Sequence, residues 1–262
     1  ETKALFSGTL MDGKTWTVNG SGSSVDLTIQ ADGAAFDLSG LSFTEWSSSD
    51  EVFIEGSAGT DTMTGTPEND TIKGYDGNDS LHGSGEADVL YGHAGQDTLD
   101  GGTGNDQIWG GSDADQLLGG DGNDTFYFTA GAGDVAAGEA IDGGAGTDTL
   151  YVTDYQMTTD FSGAASIDNI EVLHLSYTET KALFSGTLMD GKTWTVDGSG
   201  SSVDLKIQAD GAAFDLSGLS FTNWSSSDDV YVLGTAGNDT MTGTSESDSM
   251  TGSGGADSLV GG

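Results

Sequence analysis

The chain has 262 residues, with six lysines and no arginine against 43 aspartates and glutamates, for a formal charge of −37. Such an acidic surface has no basic patch for a phosphate backbone, which excludes nucleic acid as a partner and points to cations. Cysteine is absent, so no disulfide framework exists, and no apolar run approaches the ~20 residues of a membrane span.

Residues 1–55 read as short strands. TWTVNG, SVDLTIQA, AAFDLSGLSF and EVFIEG alternate β-branched and aromatic residues with polar ones, between Gly, Asp, Asn and Ser turns. This is a β-rich linking module. It either continues whatever follows as a solenoid or forms a small sandwich; continuation is the favoured reading.

Residues 56–127 are eight nonapeptides in unbroken register: GSAGTDTMT, GTPENDTIK, GYDGNDSLH, GSGEADVLY, GHAGQDTLD, GGTGNDQIW, GGSDADQLL and GGDGNDTFY. The sixth position is always acidic: Asp61, Asp70, Asp79, Asp88, Asp97, Asp106, Asp115 and Asp124. The eighth is always apolar: Met63, Ile72, Leu81, Leu90, Leu99, Ile108, Leu117 and Phe126. Residues 128–178 form a β-rich connector. It holds the one segment that suggests a helical turn, AGDVAAGEAID (132–142), then an isolated nonapeptide at 143–151 with Asp148, then TLYVTD and IEVLHLS.

At Glu179 the chain starts over. Residues 179–233 repeat 1–55 with seven differences, and three further nonapeptides from Gly234 carry Asp239, Asp248 and Asp257. The second roll thus starts within 234–262. The chain reads as one 178-residue unit plus the first 84 residues of another, a window from a tandem array.

Each nonapeptide supplies a three-residue strand with one inward apolar side chain and a turn rich in Gly and Asp. Two of them complete one coil of a flattened solenoid, and coils stack at the ~4.8 Å strand spacing. One Leu or Ile per line contributes roughly 1.5–3 kcal/mol, against roughly 1–2 kcal/mol of backbone entropy for every residue. Apolar burial alone therefore loses. Stacking also aligns carboxylates of alternate lines along each edge, where they repel. A hard cation between turns reverses that sign, because Ca²⁺ takes six to eight oxygens at ~2.3–2.6 Å. The expected ligands are the twelve sixth-position aspartates, Asp61 to Asp257. Turn carbonyls join them, from Gly74, Gly92, Gly101, Gly102, Gly104, Gly110, Gly111, Gly119, Gly120 and Gly122. Carboxylates stand at the fourth position in Glu68, Glu86, Asp113 and Glu246. These are tolerated turn variants or added ligands, and terminal lines should bind more weakly.

The pattern G-G-x-G-x-D-x-(apolar)-x resembles the nonapeptide of RTX (repeats-in-toxin) proteins. The resemblance implies an all-β, right-handed parallel β-roll stabilised by multiple calcium ions, secreted unfolded through a type I channel and folded in extracellular calcium. The family's C-terminal secretion signal is not seen in these residues. No H-E-x-x-H and no G-x-S-x-G occurs, so neither zinc-protease nor nucleophile-elbow chemistry has a scaffold. His82, His93 and His174 read as solvated. Trp16, Trp46, Trp194 and Trp224 recur at the long period and read as packing residues. The expected role is a non-enzymatic extracellular repeat, the shaft of an adhesin, a surface fibre or a surface layer, whose partners are calcium and neighbouring copies of itself. The alternative is the calcium-dependent folding module of a secreted toxin or hydrolase whose catalytic domain lies outside these residues.

Overall fold

The computed structural model describes residues 2–8, 12, 16–19, 25–31, 35–46, 50–129, 135–153, 157–176, 178–211 and 213–262. They form two compact units, residues 1–126 with 140–148, and residues 127–139 with 149–262. Every strand pairing is parallel.

In the first unit the nonapeptide strands run down two faces. Asp70–Asp76, Val89–Ala94 and Gln107–Ser112 pair on one face; Thr62–Thr64, Ser80–Gly85, Thr98–Thr103 and Gln116–Asp121 pair on the other. Leu90 stands beside Ile72 and Ile108, and Leu99 beside Leu81 and Leu117. Two lines therefore make one coil, as the spacing requires. The position-eight residues from Met63 to Phe126 are 0–1% exposed and form the interior column.

The strands are longer than the three residues expected. Most span six, because the first three residues of the next line extend the apolar triplet. In Val89–Ala94 the inward positions are Leu90 and Gly92. The first glycine of each line thus shares the core face with the apolar residue, and the wall can run straight to the edge before the chain turns.

The linking residues wind in wider coils. Strand Thr2–Ser7 pairs with Val25–Gln30, which pairs with Glu51–Glu55, which pairs with the nonapeptide strand Asp70–Asp76. Hydrogen bonds repeat at a separation of 25: Val25 N–H donates to Asp50 Oδ1 at 2.7 Å and Asp37 N–H to Asp12 Oδ1 at 3.1 Å. The wider coil has room for more core. Leu27, Ile29, Phe36, Leu38 and Leu41 are all at most 3% exposed, where a nonapeptide coil buries two apolar side chains.

The second unit repeats this scheme. Strands Lys181–Ser185, Asp204–Gln208, Asp229–Leu233 and Asp248–Thr251 pair in the same registers as their counterparts 178 residues earlier, for example Lys181↔Asp204 against Lys3↔Asp26. Val203 N–H donates to Asp228 Oδ1 and Asp215 N–H to Asp190 Oδ1, again 25 apart. In its core Phe161 stacks on Phe184 at 4.8 Å, and Phe184 meets Trp194 edge-on at 5.8 Å. A helical turn, Gly186–Met189, was not expected from the sequence. Ser185 caps it, its Oγ accepting from the Leu188 N–H. The helical turn suggested for 132–142 is corrected: Ala140–Ala145 is a strand that pairs with Gln116–Asp121, and 130–134 lie outside the described residues.

Candidate metal centre

The turns between strands hold the acidic positions. Asp61, Asp70, Asp79, Asp88, Asp97, Asp106, Asp115, Asp124, Asp148 and Asp239 are all 0–3% exposed; Asp248 and Asp257 are half-buried. Burying a carboxylate is costly unless it is paired or hydrogen-bonded, so each oxygen has to be traced.

One oxygen is accounted for by the coil before. Asp61 N–H donates to Asp79 Oδ1, Asp79 N–H to Asp97, and Asp97 N–H to Asp115, at 2.8–2.9 Å. The other edge runs Asp70 to Asp88, Asp88 to Asp106 and Asp106 to Asp124, each at 2.8 Å. The isolated nonapeptide joins it: Asp124 N–H donates to Asp148 Oδ1 at 2.8 Å, across a coil widened to 24 residues. Beside each ladder runs a second one from position five, where Asn69, Asn78, Asn105 and Asn123 Oδ1 accept from the next coil's N–H. That explains the recurrent Asn-Asp pair.

The second oxygen is the open one. Oδ2 of Asp79, Asp88, Asp97, Asp106 and Asp124 is buried with no hydrogen-bond partner. Each faces backbone oxygen. A Cβ placed on Gly74 would collide with Asp79 Oδ2 and lie 3.0 Å from the Gly92 carbonyl oxygen. On Gly83, Gly92 and Gly101 it would meet Oδ2 of Asp88, Asp97 and Asp106, and lie 2.5–2.6 Å from the carbonyls of Gly101, Gly110 and Gly119. A carboxylate oxygen and a glycine carbonyl one coil on therefore border one small space. The Gly143 carbonyl, not among the expected ones, takes the same place beside Asp124 Oδ2, and the Gly83 carbonyl lies beside Asp70 Oδ2; the signal was their identical place in the line. The second and fourth positions shape the rim. Gly102, Gly111 and Gly120 have φ of 101°, 116° and 103°, and Gly104 and Gly122 of 141° and 146°. Their carbonyls point along the stack, so that a Cβ on Gly122 would collide with the Gly104 oxygen.

The electrostatics call for a positive charge. Burial pushes the Asp88 carboxyl up to about 9, helped by Asp70 and Asp106 on neighbouring coils. Burial likewise raises Asp70 to about 8 against the pull of its Thr66 hydrogen bonds, Asp97 and Asp106 to about 6, and Asp115 and Asp124 to about 7. No group of three or more His, Asp or Glu side chains among the described residues converges on one point. A cation here must draw on backbone carbonyls together with carboxylate. All-oxygen, mixed carboxylate and carbonyl donors suit a hard divalent ion with a large, flexible shell, which is calcium.

The fourth-position acids stand apart from this space. Glu86, Asp113 and Glu246 are exposed at turn tips, and Glu86 and Asp113 also have positive φ, but at 63° and 78° where the fourth-position glycines Gly77, Gly104 and Gly122 have 137°, 141° and 146°. Glu68 is half-buried, its carboxyl raised by burial and by Glu86. The histidines lie elsewhere: His82 and His174 sit 3.3 and 3.0 Å from Asp100 and Asp197, and His93 stacks on Tyr75.

Residues 55–90, 91–126, 100–134, 140–153 and 233–262 match the family model of the RTX calcium-binding nonapeptide repeat. The chain carries RTX repeats. No curated protein and no solved structure matches it. The RTX repeat is a structural calcium-binding module, so the carboxylate ladders and glycine carbonyls belong to a calcium-binding repeat region with a parallel β-roll fold. Asp79, Asp88, Asp97, Asp106 and Asp124 are the residues whose buried, unpartnered Oδ2 could hold a cation. Sequence reasoning did not single out the hydroxyls at position two, Ser57, Thr66, Thr235 and Thr244, which bond to the aspartates of their own lines.

Proposed function

We propose that this chain is part of an extracellular, non-enzymatic spacer, built from tandem 178-residue units that fold as calcium enters their turns. The carrying observation is the exact recurrence of register: the strands of 179–260 pair at the same separations as those of 1–82. A unit that repeats its wall and keeps the aspartate of each turn, Asp61, Asp70 and Asp79 against Asp239, Asp248 and Asp257, serves length and number rather than a single reactive site. RTX repeats are typical of secreted proteins, and among the described residues no helix is long and apolar enough to cross a membrane. The millimolar calcium of the extracellular space suits a chain whose buried carboxylates need it to stay charged. The shaft of a surface adhesin, a fibre or a surface layer fits this role, with further copies of the same unit as neighbours.

An antibody raised against residues 1–262 tests the placement. It should label intact, unpermeabilised cells that produce the protein. Labelling that appears only after permeabilisation overturns the proposal.

A further inference from the structure

We infer that the first coil of each nonapeptide run is calcium-free, its carboxylates held by a hydroxyl of the same turn instead of by an ion. The inference rests on the calcium reading of the later turns and limits where that reading applies.

Four lines share a turn found in none of the others. In the first, Ser57 donates to Asp61 Oδ2 through its N–H at 2.6 Å and its Oγ at 2.9 Å. In the second, Thr66 N–H donates to Asp70 Oδ2 at 2.6 Å, and Oγ1 lies 3.1 Å from both carboxylate oxygens. In the second run, Thr235 holds Asp239 and Thr244 holds Asp248 in the same way, with N–H bonds of 2.8 and 2.9 Å. Each hydroxyl also accepts the N–H of position four, from Gly59, Glu68, Gly237 and Glu246 at 3.0–3.3 Å. Oδ2, the atom left bare at Asp79, Asp88, Asp97, Asp106 and Asp124, takes two donors from its own turn at Asp61, Asp70 and Asp239 and one at Asp248; of the four, Asp61 keeps a buried Oδ1 with no hydrogen-bond partner.

The later turns cannot make this contact. Position two adopts a left-handed φ in Tyr75, Ser84, His93, Gly102, Gly111, Gly120 and Gly144, between 77° and 116°. The N–H of position four then bonds to the next coil, as Gly77 does to Ala94 and Gly104 to Asp121. A hydroxyl alone does not close the turn. Ser84 and Ser253 have the same spacing to Asp88 and Asp257, yet both are left-handed, at 94° and 71°, and Ser84 Oγ has no hydrogen-bond partner. Both are followed by glycine, whereas the closed turns have Ala58, Pro67, Ala236 and Ser245 there. Proline at that place holds Thr66 in the extended region and presets the turn.

Position in the chain gives the device its use. Each closed pair of lines follows a linking module whose wide coils bury more apolar side chains per coil than a nonapeptide coil does, Leu27, Ile29, Phe36, Leu38 and Leu41 in the first, and so depend less on an ion for their stability. The closed coil extends that seed into the nonapeptide register, and calcium-requiring turns then stack on an edge already in place. This removes the costly first step of solenoid assembly, in which a coil must order with no neighbour to bond to.

Calcium counting on the full chain by equilibrium dialysis, with circular dichroism for fold, tests the assignment. The double variant D61N/D70N should bind as many ions as the unmodified chain, D79N/D88N should bind fewer, and S57G/T66G, which imposes the later turn's glycine, should bind more. Hydrogen exchange on the unmodified chain in excess chelator gives an independent reading: the Thr66 and Thr235 amides should stay protected while those of Ser84 and Gly102 exchange. Loss of ions in a folded D61N/D70N chain, or equal exchange at Thr66 and Gly102, overturns the inference. No bound calcium at all in the unmodified chain overturns the calcium reading itself.

Discussion

Thr66 Oγ1 lies 3.1 Å from both oxygens of the Asp70 carboxylate and accepts the Glu68 N–H at 3.2 Å. One hydroxyl thus serves as donor and acceptor in a buried turn. Replacing Thr66 with valine keeps the volume and removes both bonds. Leaving buried partners unpaired costs about 1–3 kcal/mol, so Thr66→Val should lower the denaturation midpoint clearly. Ser84→Ala, at the same place in a turn where Oγ has no hydrogen-bond partner, should be close to neutral. Equal losses in thermal denaturation would remove the distinction between the two turns.

Asp106 stands mid-stack, accepting from Asp88 N–H and donating to Asp124. Asp257 accepts from Asp239 N–H at 3.1 Å and is half-buried. Chelation of the unmodified chain should reduce β circular dichroism, and added calcium should restore it. Asp106→Ala should shift the calcium midpoint of that recovery upward by more than Asp257→Ala. Identical midpoints would count against stacking as the source of affinity.

Burial raises the carboxyls of Asp88, Asp97, Asp106, Asp115 and Asp124 to between about 6 and about 9. A folded-state value above the unfolded one means the folded chain holds more protons between the two. Without calcium, folding is therefore favoured in acid, and this contribution disappears as pH rises from about 4 through the 6–9 range. In chelator the roll should be more stable at pH 5 than at pH 8. With saturating calcium that slope should flatten or reverse, since the ion competes with protons for the same oxygens. A chelated chain that gains stability on going from pH 5 to pH 8 would refute this account.

Leu90 is fully buried between Ile72 and Ile108. With so few apolar side chains in each coil, neighbours cannot close the hole left by its removal. Leu90→Ala should cost about 2–5 kcal/mol in calcium-saturated denaturant titrations. A loss below the lower bound would mean that the interior column is loosely packed.

Asp113 and Gly122 both occupy the fourth position, at φ of 78° and 146°. The first conformation is open to a side chain at a cost of about 1–2 kcal/mol, and glycine relieves it. Asp113→Gly should therefore stabilise the roll, whereas Gly122→Ala drives a methyl into the Gly104 carbonyl and should destabilise it. Matching shifts in melting temperature would show that the rim is not conformationally strained.

The parallel stacked roll was legible because its cause is periodic. An apolar residue every nine positions and an 18-residue step between bonded aspartates are one fact, seen once along the chain and once across it. The two edges of the ladder followed from counting alternate lines. The coil of 25 residues in the linking modules stayed hidden, since its marks, Asp12 with Asp37 and Asp50 with Val25, fall among irregular turns of differing length. The difference between Thr66 and Ser84 was also out of reach, because both read as a hydroxyl four residues before an aspartate.

The sequence by itself determined the period, the inward column from Met63 to Phe126, and the need of buried carboxylates for a countercharge, because each depends only on spacing and residue type. Tertiary structure decided which carboxylate oxygens remain open. That choice depends on the φ of one residue per turn, 94° at Ser84 where Thr66 instead turns its hydroxyl onto Asp70, and on where the next coil places its carbonyls. Neither is a property of any nine residues taken alone.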